Sequence, residues 1–254
     1  MKYEMPFRVR VYECDPRGVL SLPSLLNYMQ EIAAAHTVKL HITIPELLPR
    51  GLTWMVSRQH IAIERYPEYM NKINMSTWIA DHRGRFSIRD FALKDKTGNS
   101  LIRISSSWVL YDIRKRCIVN VDEELPLDSI FPERALEDKF PSLPVPENTQ
   151  YNKELHVRQS DLDINRHANN RAIAEWAMEA IPPEFAESHE IVEMEISYKG
   201  QAFYEDVIIS GCEIGNNKGL YTCLHHIKNK QSGQLITVAR TRWRKTQKNS
   251  GGFR

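Results

Sequence analysis

Leu22, Leu25, Leu26, Met29, Ile32 and Ala33 recur at helical spacing and predict a long helix with one apolar face. Ile173, Trp176, Ala177 and Ala180 predict a second helix, stopped by Pro182-Pro183. After each helix the pattern changes to strands. "INMSTWIA" and "NSLIRISSSWVLYD" are rich in β-branched and aromatic residues, and "KDKTGNS" and "KNKQSGQ" read as hairpin turns. "TVARTRWR" puts Arg240, Arg242 and Arg244 on one face and Ala239, Thr241 and Trp243 on the other, a strand with one wet side. Between Leu125 and Asn148 neither period holds. Pro126, Pro132, Pro141, Pro144 and Pro146 block helix and central strand there and mark a connector.

The two patterns are one pattern written twice. Shifted by 148 residues, "VRVYECDPRGVLSLPSLLNYMQE" lies on "VRQSDLDINRHANNRAIAEWAME" without a gap. Val9, Arg10, Asp15 and Glu31 meet Val157, Arg158, Asp163 and Glu179 as identities. Further on the shift is 135: Ile61 meets Ile196, Ile73 meets Ile208, Gly98 meets Gly233, and Trp108 meets Trp243. The change from 148 to 135 predicts a loop 13 residues shorter in the second copy. One helix followed by antiparallel strands, twice, is an α+β fold with each helix packed on a sheet. That is the hotdog arrangement in tandem, an internal pseudo-dimer. The expected division is residues 1–125, a Pro-rich linker over 126–149, and residues 150–254.

Composition changes this picture little. Hydrophobic content of 42% and charged content of 26% are ordinary for a globular protein. Lys+Arg 34 against Asp+Glu 32 is too balanced to argue for nucleic acid. No apolar run approaches the roughly 18–20 residues of a membrane span. The start "MKYEMPFRVR" lacks the apolar region of a signal peptide. Cys14, Cys117, Cys212 and Cys223 form no C-x-x-C pair and no zinc spacing, so a cytoplasmic protein with scattered thiols is expected. No Walker loop, G-x-G-x-x-G or G-x-S-x-G occurs, and no metal or organic cofactor is expected.

One stretch stands out chemically: "SDLDINRHANN", Ser160–Asn170. Asp161, Asp163 and Asn165 begin like a calcium loop, but its sixth position holds Arg166 and its twelfth Ala172, where Gly and Glu are needed. Asn169 or Asn170 suits a cap for the helix carrying Ile173 and Trp176. A capped helix start also supplies free N–H groups and partial positive charge to a developing oxyanion. Asn165 adds an amide donor, His167 moves a proton near neutral pH, and Asp163 holds either in one orientation. The set suits attack of water on an acyl carbon. The first copy keeps the acid as Asp15 but has Arg17 and Val19 in place of Asn165 and His167.

With Trp176, Glu179 and Pro182, this stretch resembles the fatty acyl-ACP thioesterases of plants and bacteria. "YECDPRGVLSLPSLLNYMQEIAAAH" is similar to the N-terminal helix segment of that family, and the resemblance spans almost the whole chain. It implies a double hotdog that hydrolyses acyl-ACP to free fatty acid, with the first hotdog holding the acyl chain and the second catalysing. The partner is then acyl carrier protein with its acyl-phosphopantetheine, and a homodimer is allowed beside the internal pseudo-dimer. The resemblance makes Asp163, Asn165 and His167 catalytic. The family's activating Glu, three residues after a Tyr on the next strand, falls on Gln201 in "ISYKGQAFYED", and the Cys often next to it in plants is Ala202. Gln201 orients water but takes no proton, so either His167 or Asp163 does the base work or activity is weak or lost. Glu195, Glu205 and Asp206 lie near it in sequence. An acyl-CoA thioesterase and a non-catalytic acyl-binding protein stay open as alternatives.

For the acyl chain, Leu25, Leu26, Met29 and Ile32 are core residues that also suit a tunnel wall, joined by Trp54, Trp78 and Trp108. His36 reads as a satisfied histidine at the helix end, and His225-His226 as two rings on opposite faces of a strand. An acidic carrier needs a basic docking surface. "HRGR" (His82–Arg85), "IRKR" (Ile113–Arg116) and the tail Arg240–Lys248 are the candidates.

Overall fold

The computed structural model describes residues 1–125, 130–217 and 220–246. It divides into two compact units, Met1–Phe140 and Pro141–Arg254. The first runs through β1 (Tyr3–Arg8), α1 (Leu22–Leu40), α2 (Ile44–Leu47), β2 (Leu52–Ile63), β3 (Lys72–Arg83), β4 (Phe86–Asp95), β5 (Ser100–Asp112), β6 (Cys117–Ile118) and α3 (Val121–Glu124). Its strands pair antiparallel in the order β1-β3-β4-β5-β2, with β6 added to β5. α1 packs against β1 and β3. Ser21 caps α1 by accepting the Ser24 N–H, and His41, at a left-handed φ of 54°, ends it. The predicted apolar face, Leu22 to Ala33, is buried throughout.

The second unit holds β7 (Tyr151–His156), α4 (Asn170–Met178), α5 (Pro183–Ser188), β8 (His189–Tyr198), β9 (Val207–Asn217), β10 (Leu220–Asn229) and β11 (Leu235–Lys245). Its antiparallel order is β8-β11-β10-β9-β7, and α4 packs on β9 and β10. α4 ends four residues before Pro182, and Pro183 opens α5 rather than only stopping a helix.

The repeat is visible bond by bond. Glu13 N–H donates to Arg10 O as Asp161 N–H does to Arg158 O, both at 3.0 Å. Val9 and Val157 are buried, and each donates to the turn after the first long strand of its unit, at Asn71 O and Asp206 O. That turn holds its left-handed residue at Met70 in one unit and Glu205 in the other, both at φ 68°. Trp108 Nε1 donates to Ser106 Oγ as Trp243 Nε1 does to Thr241 Oγ1. The 13-residue shortening is more than a trimmed loop. α1 has 19 residues and α4 has nine, so the second unit lacks the far half of the helix.

That far half covers a buried polar cluster. His36 is not at the helix end: it lies within α1, 1% exposed, stacked on Tyr3 and accepting from Arg89 Nη1 at 2.8 Å. Arg89 also donates to Thr77 Oγ1 at 3.3 Å. His36 Nε2 has no partner, so this histidine is only half satisfied. In the second unit Cys212 and Cys223 sit on neighbouring strands as buried free thiols, and Cys14 and Cys117 are free as well.

The connector is not uniform. Residues 131–140 belong to the first unit. Phe131, Ala135 and Phe140 pack on Trp78, Ala80 and Ile88, and Arg134 Nε meets the fully buried Asp90 at 3.0 Å. Asp138 pairs with His60 at 2.8 Å. Pro126 lies outside the described residues, as does the end of the basic tail, Gln247-Lys248. No described helix is long and apolar enough to cross a membrane.

Candidate active site

The polar stretch forms a loop clamped at both ends. Arg158 and Asp161 make a reciprocal cap, with the Arg158 guanidinium and backbone N–H both on the buried Asp161 carboxylate. Asp161 is therefore spent on Arg158. Leu162 and Ala168 bridge across the loop, and Asp163 N–H donates to His167 O at 2.8 Å. Arg166 turns the chain at φ 61°, a left-handed conformation that its counterpart Gly18 adopts more easily. Asn169 then caps α4, its Oδ1 accepting the Arg171 N–H at 2.8 Å. Ile173 N–H closes the first turn on Asn169 O.

Asp163 works on the backbone. Its Oδ1 accepts from Asn165 N–H at 2.8 Å and His167 N–H at 3.2 Å, and Oδ2 has no partner among the described residues. Asp163 thus orients His167 through the main chain, and no carboxylate among the described residues holds the imidazole. Asp15 does the same for Arg17 and Val19, at 2.9 and 3.5 Å. In that copy, however, the Arg17 guanidinium closes on Asp15 Oδ2 and lies over the Tyr66 ring. The first loop is filled by its own arginine, and the second is open.

Ala202 ties the β8–β9 connection to this loop by accepting the Ala168 N–H at 2.9 Å. Gln201, beside it, is exposed and lies past the end of β8, in the irregular β8–β9 connection and not on a strand as expected. Its side chain makes no hydrogen bond among the described residues. Three acids lie near it in sequence. Glu195 pairs with Arg240, Asp206 accepts the Phe203 N–H at 2.8 Å, and Glu205 is exposed at its left-handed position. Tyr198 is half-buried, and desolvation of its hydroxyl pushes the phenol well above the usual range. Sequence reasoning missed Phe203, whose ring stands edge-on to His167 with centroids 5.2 Å apart. Its signal was the 135-residue shift, which puts Phe203 where the first copy has Glu68.

The acyl candidates divide. Leu25, Leu26, Met29 and Ile32 form one buried stripe under α1. Trp54 is apart from them in a cluster with Ile42, Leu47 and Leu52, its Nε1 donating to Ile42 O. Trp78 is not a tunnel wall, because it alternates away from Thr77 on β3 and is covered by residues 131–140. The basic stretches are largely neutralised. Arg83 pairs with Asp81 and Lys115 with Asp112, while Arg240, Arg242 and Arg244 pair with Glu195, Glu193 and Glu190. Arg85 and Arg116 have no carboxylate partner among the described residues.

Two helix-on-sheet repeats, one with a filled loop and one with an open loop, define a tandem hotdog protein. The chain belongs to the acyl-ACP thioesterase family: its N-terminal domain matches residues 1–127 and its C-terminal domain residues 145–245. An acyl-[acyl-carrier-protein] hydrolase from chloroplasts of Cuphea viscosissima is 28% identical over 98% of this chain. The chain spans 64% of that relative's length. The solved 12:0-ACP thioesterase of Umbellularia californica superimposes with a TM-score of 0.87 at 28% identity, over 96% of this chain and 98% of the other. An acyl-ACP thioesterase from Bacteroides thetaiotaomicron shares the fold, with a TM-score of 0.84 at 22% identity over 95% and 97% of the two chains.

Proposed function

We propose that this protein hydrolyses acyl thioesters of acyl carrier protein to free fatty acid in the cytoplasm, with Asp163, Asn165, His167 and Gln201 as its site. The observation that carries this is the difference between two otherwise matched loops. Arg17 fills the Asp15 loop, whereas Asn165 and His167 leave the Asp163 loop open with a free carboxylate oxygen. The free thiols suit a reducing compartment.

In this mechanism water attacks the thioester carbonyl carbon. His167 takes the water's proton and returns one to the departing thiolate. The Asn165 amide and the N-terminus of α4 stabilise the oxyanion. Asp163 fixes the loop, and Gln201 orients water without accepting its proton. The stripe Leu25, Leu26, Met29 and Ile32 on α1 accommodates the acyl chain, and Trp54, in its separate cluster, takes no part in holding it. Arg85 and Arg116, without a carboxylate partner among the described residues, offer cations to an acidic carrier, and their reversal to Glu raises KM for acyl-ACP without slowing a small acyl thioester.

The test is turnover of a panel of acyl-ACPs by wild type and His167→Ala. A loss of roughly 10²–10⁴-fold is expected for a residue in this role. Equal rates would remove the site. A second reading is favoured by Gln201: an acyl-binding protein that no longer cuts. It predicts co-purified lipid and no turnover of any acyl-ACP or acyl-CoA.

A further inference from the structure

The imidazole of His167 has no hydrogen bond to protein among the described residues. Asp163 spends Oδ1 on backbone N–H groups, and Gln201 makes no hydrogen bond. A proton-handling ring needs a fixed orientation, and the ring contact that supplies one is with Phe203 at an interplanar angle of 88°. Edge-to-face rings at this separation attract through their quadrupoles. We propose that Phe203 is the positioning residue for His167, holding the imidazole by ring packing where a carboxylate would ordinarily do so. This rests on reading His167 as the proton carrier of a thioester hydrolase.

Two observations support it. Phe203 is itself held firmly: its N–H donates to Asp206 Oδ2 at 2.8 Å, and its neighbour Ala202 is bonded to Ala168 in the site loop. The contact is also a matched pair. In the first copy the corresponding residues, Val19 and Glu68, face each other across an isolated bridge. Both members differ in the second copy, to His167 and Phe203, so the acid gives way to a ring where the histidine is present. Tyr204, the exposed ring next to Phe203 in sequence, has no ring contact with His167 among the described residues.

The experiment uses the full chain with Phe203→Ala, Phe203→Leu and Phe203→Tyr. Phe203 is about half exposed, so all three leave the core intact. Kinetics on an acyl-ACP that wild type turns over are combined with NMR of the histidine ring protons, His167 being assigned by its loss in His167→Ala. The Ala and Leu variants are expected to lower kcat roughly tenfold with KM unchanged, the upper end of what such a ring contact supplies. They also move the His167 ring signals, and Tyr restores both. The proposal is overturned if the Ala and Leu variants move those signals and leave kcat at the wild-type value, or if the signals do not move. Wild-type turnover by His167→Ala overturns the hydrolase site itself, a separate failure.

Discussion

Asp163 holds His167 by its backbone N–H, at 3.2 Å, and not by its ring. The acid therefore has two separable functions. Oδ1 keeps the loop closed, and the unpartnered Oδ2 supplies charge beside the site. Asp163→Asn preserves an acceptor for the two N–H groups and removes the charge. It is expected to keep the melting temperature and to lower kcat by roughly 10–100-fold, less than the roughly 10²–10⁴-fold of a group that transfers the proton itself. Asp163→Ala loses both hydrogen bonds and destabilises the fold by about 1–3 kcal/mol as well. Asp15→Ala, in the filled loop, costs stability alone. Melting curves beside turnover separate these outcomes, and a slow Asp15→Ala enzyme would contradict the division of labour.

Gln201 is exposed and unbonded, so Gln201→Glu introduces a carboxylate without burying it. Stability is expected to change by no more than about 0.5 kcal/mol. Turnover is expected to rise, because the connection beside Ala202 then carries a group able to take a proton from water. Initial rates from pH 5 to 9 test this. A variant no faster than wild type at any pH would mean that the position only orients water.

Much of this arrangement is written locally. The stripe from Leu22 to Ala33, the hairpin turns at Gly98 and Gly233, and the cap at Asn169 follow from period and turn chemistry between near neighbours. The shift from 148 to 135 marks the repeat for the same reason. What the pattern does not carry is long-range burial. Arg89 of β4 is buried against His36, 53 residues away, a pairing that local alternation does not announce. Residues 131–140 read as connector because prolines exclude regular structure, and they pack on Trp78 all the same. Gln201 is placed on a strand by the family resemblance alone, but β8 ends at Tyr198. Asp163 pairs with main chain, a partner that side-chain spacing never reveals.

The packing of residues 131–140 has a measurable strength. Arg134 meets Asp90, which also accepts from Ser105 Oγ at 2.6 Å and Ala135 N–H at 2.7 Å. Burial nevertheless pushes the Asp90 carboxyl up, so desolvation outweighs these partners. Removing Arg134 alone leaves a buried carboxylate with less compensation, and Arg134→Met is expected to cost about 3–5 kcal/mol. The double change Asp90→Asn with Arg134→Met removes both charges and is expected to recover most of that loss. Denaturant midpoints measure the energies. Limited proteolysis shows whether cleavage reaches residues 131–140 in the single variant and retreats in the double.

Desolvation lowers four histidines, His36, His82, His225 and His226, and this predicts the acid sensitivity of the fold. His36 accepts a hydrogen bond at Nδ1 from Arg89, a guanidinium that only donates, so that nitrogen must be unprotonated. Burial first and the Arg89 charge second lower His36 to about 4. Burial likewise lowers His226 to about 4 and His225 to about 3, and it lowers His82. An unfolded chain protonates these rings near pH 6.5. Below that pH it binds protons that the folded state refuses, so stability is complete above about pH 6.5 and falls as pH drops towards 4. His36 alone accounts for about 3 kcal/mol of that loss. Asp112 and Asp138 are lowered too, but carboxylates lose stability only as pH falls below about 4, which separates the two windows. The check is the urea midpoint from pH 7.5 to 4.5 for wild type and His36→Asn, which keeps an acceptor for Arg89 but cannot titrate. The variant is expected to lose part of the slope; an unchanged slope would show that His36 is protonated in the folded protein.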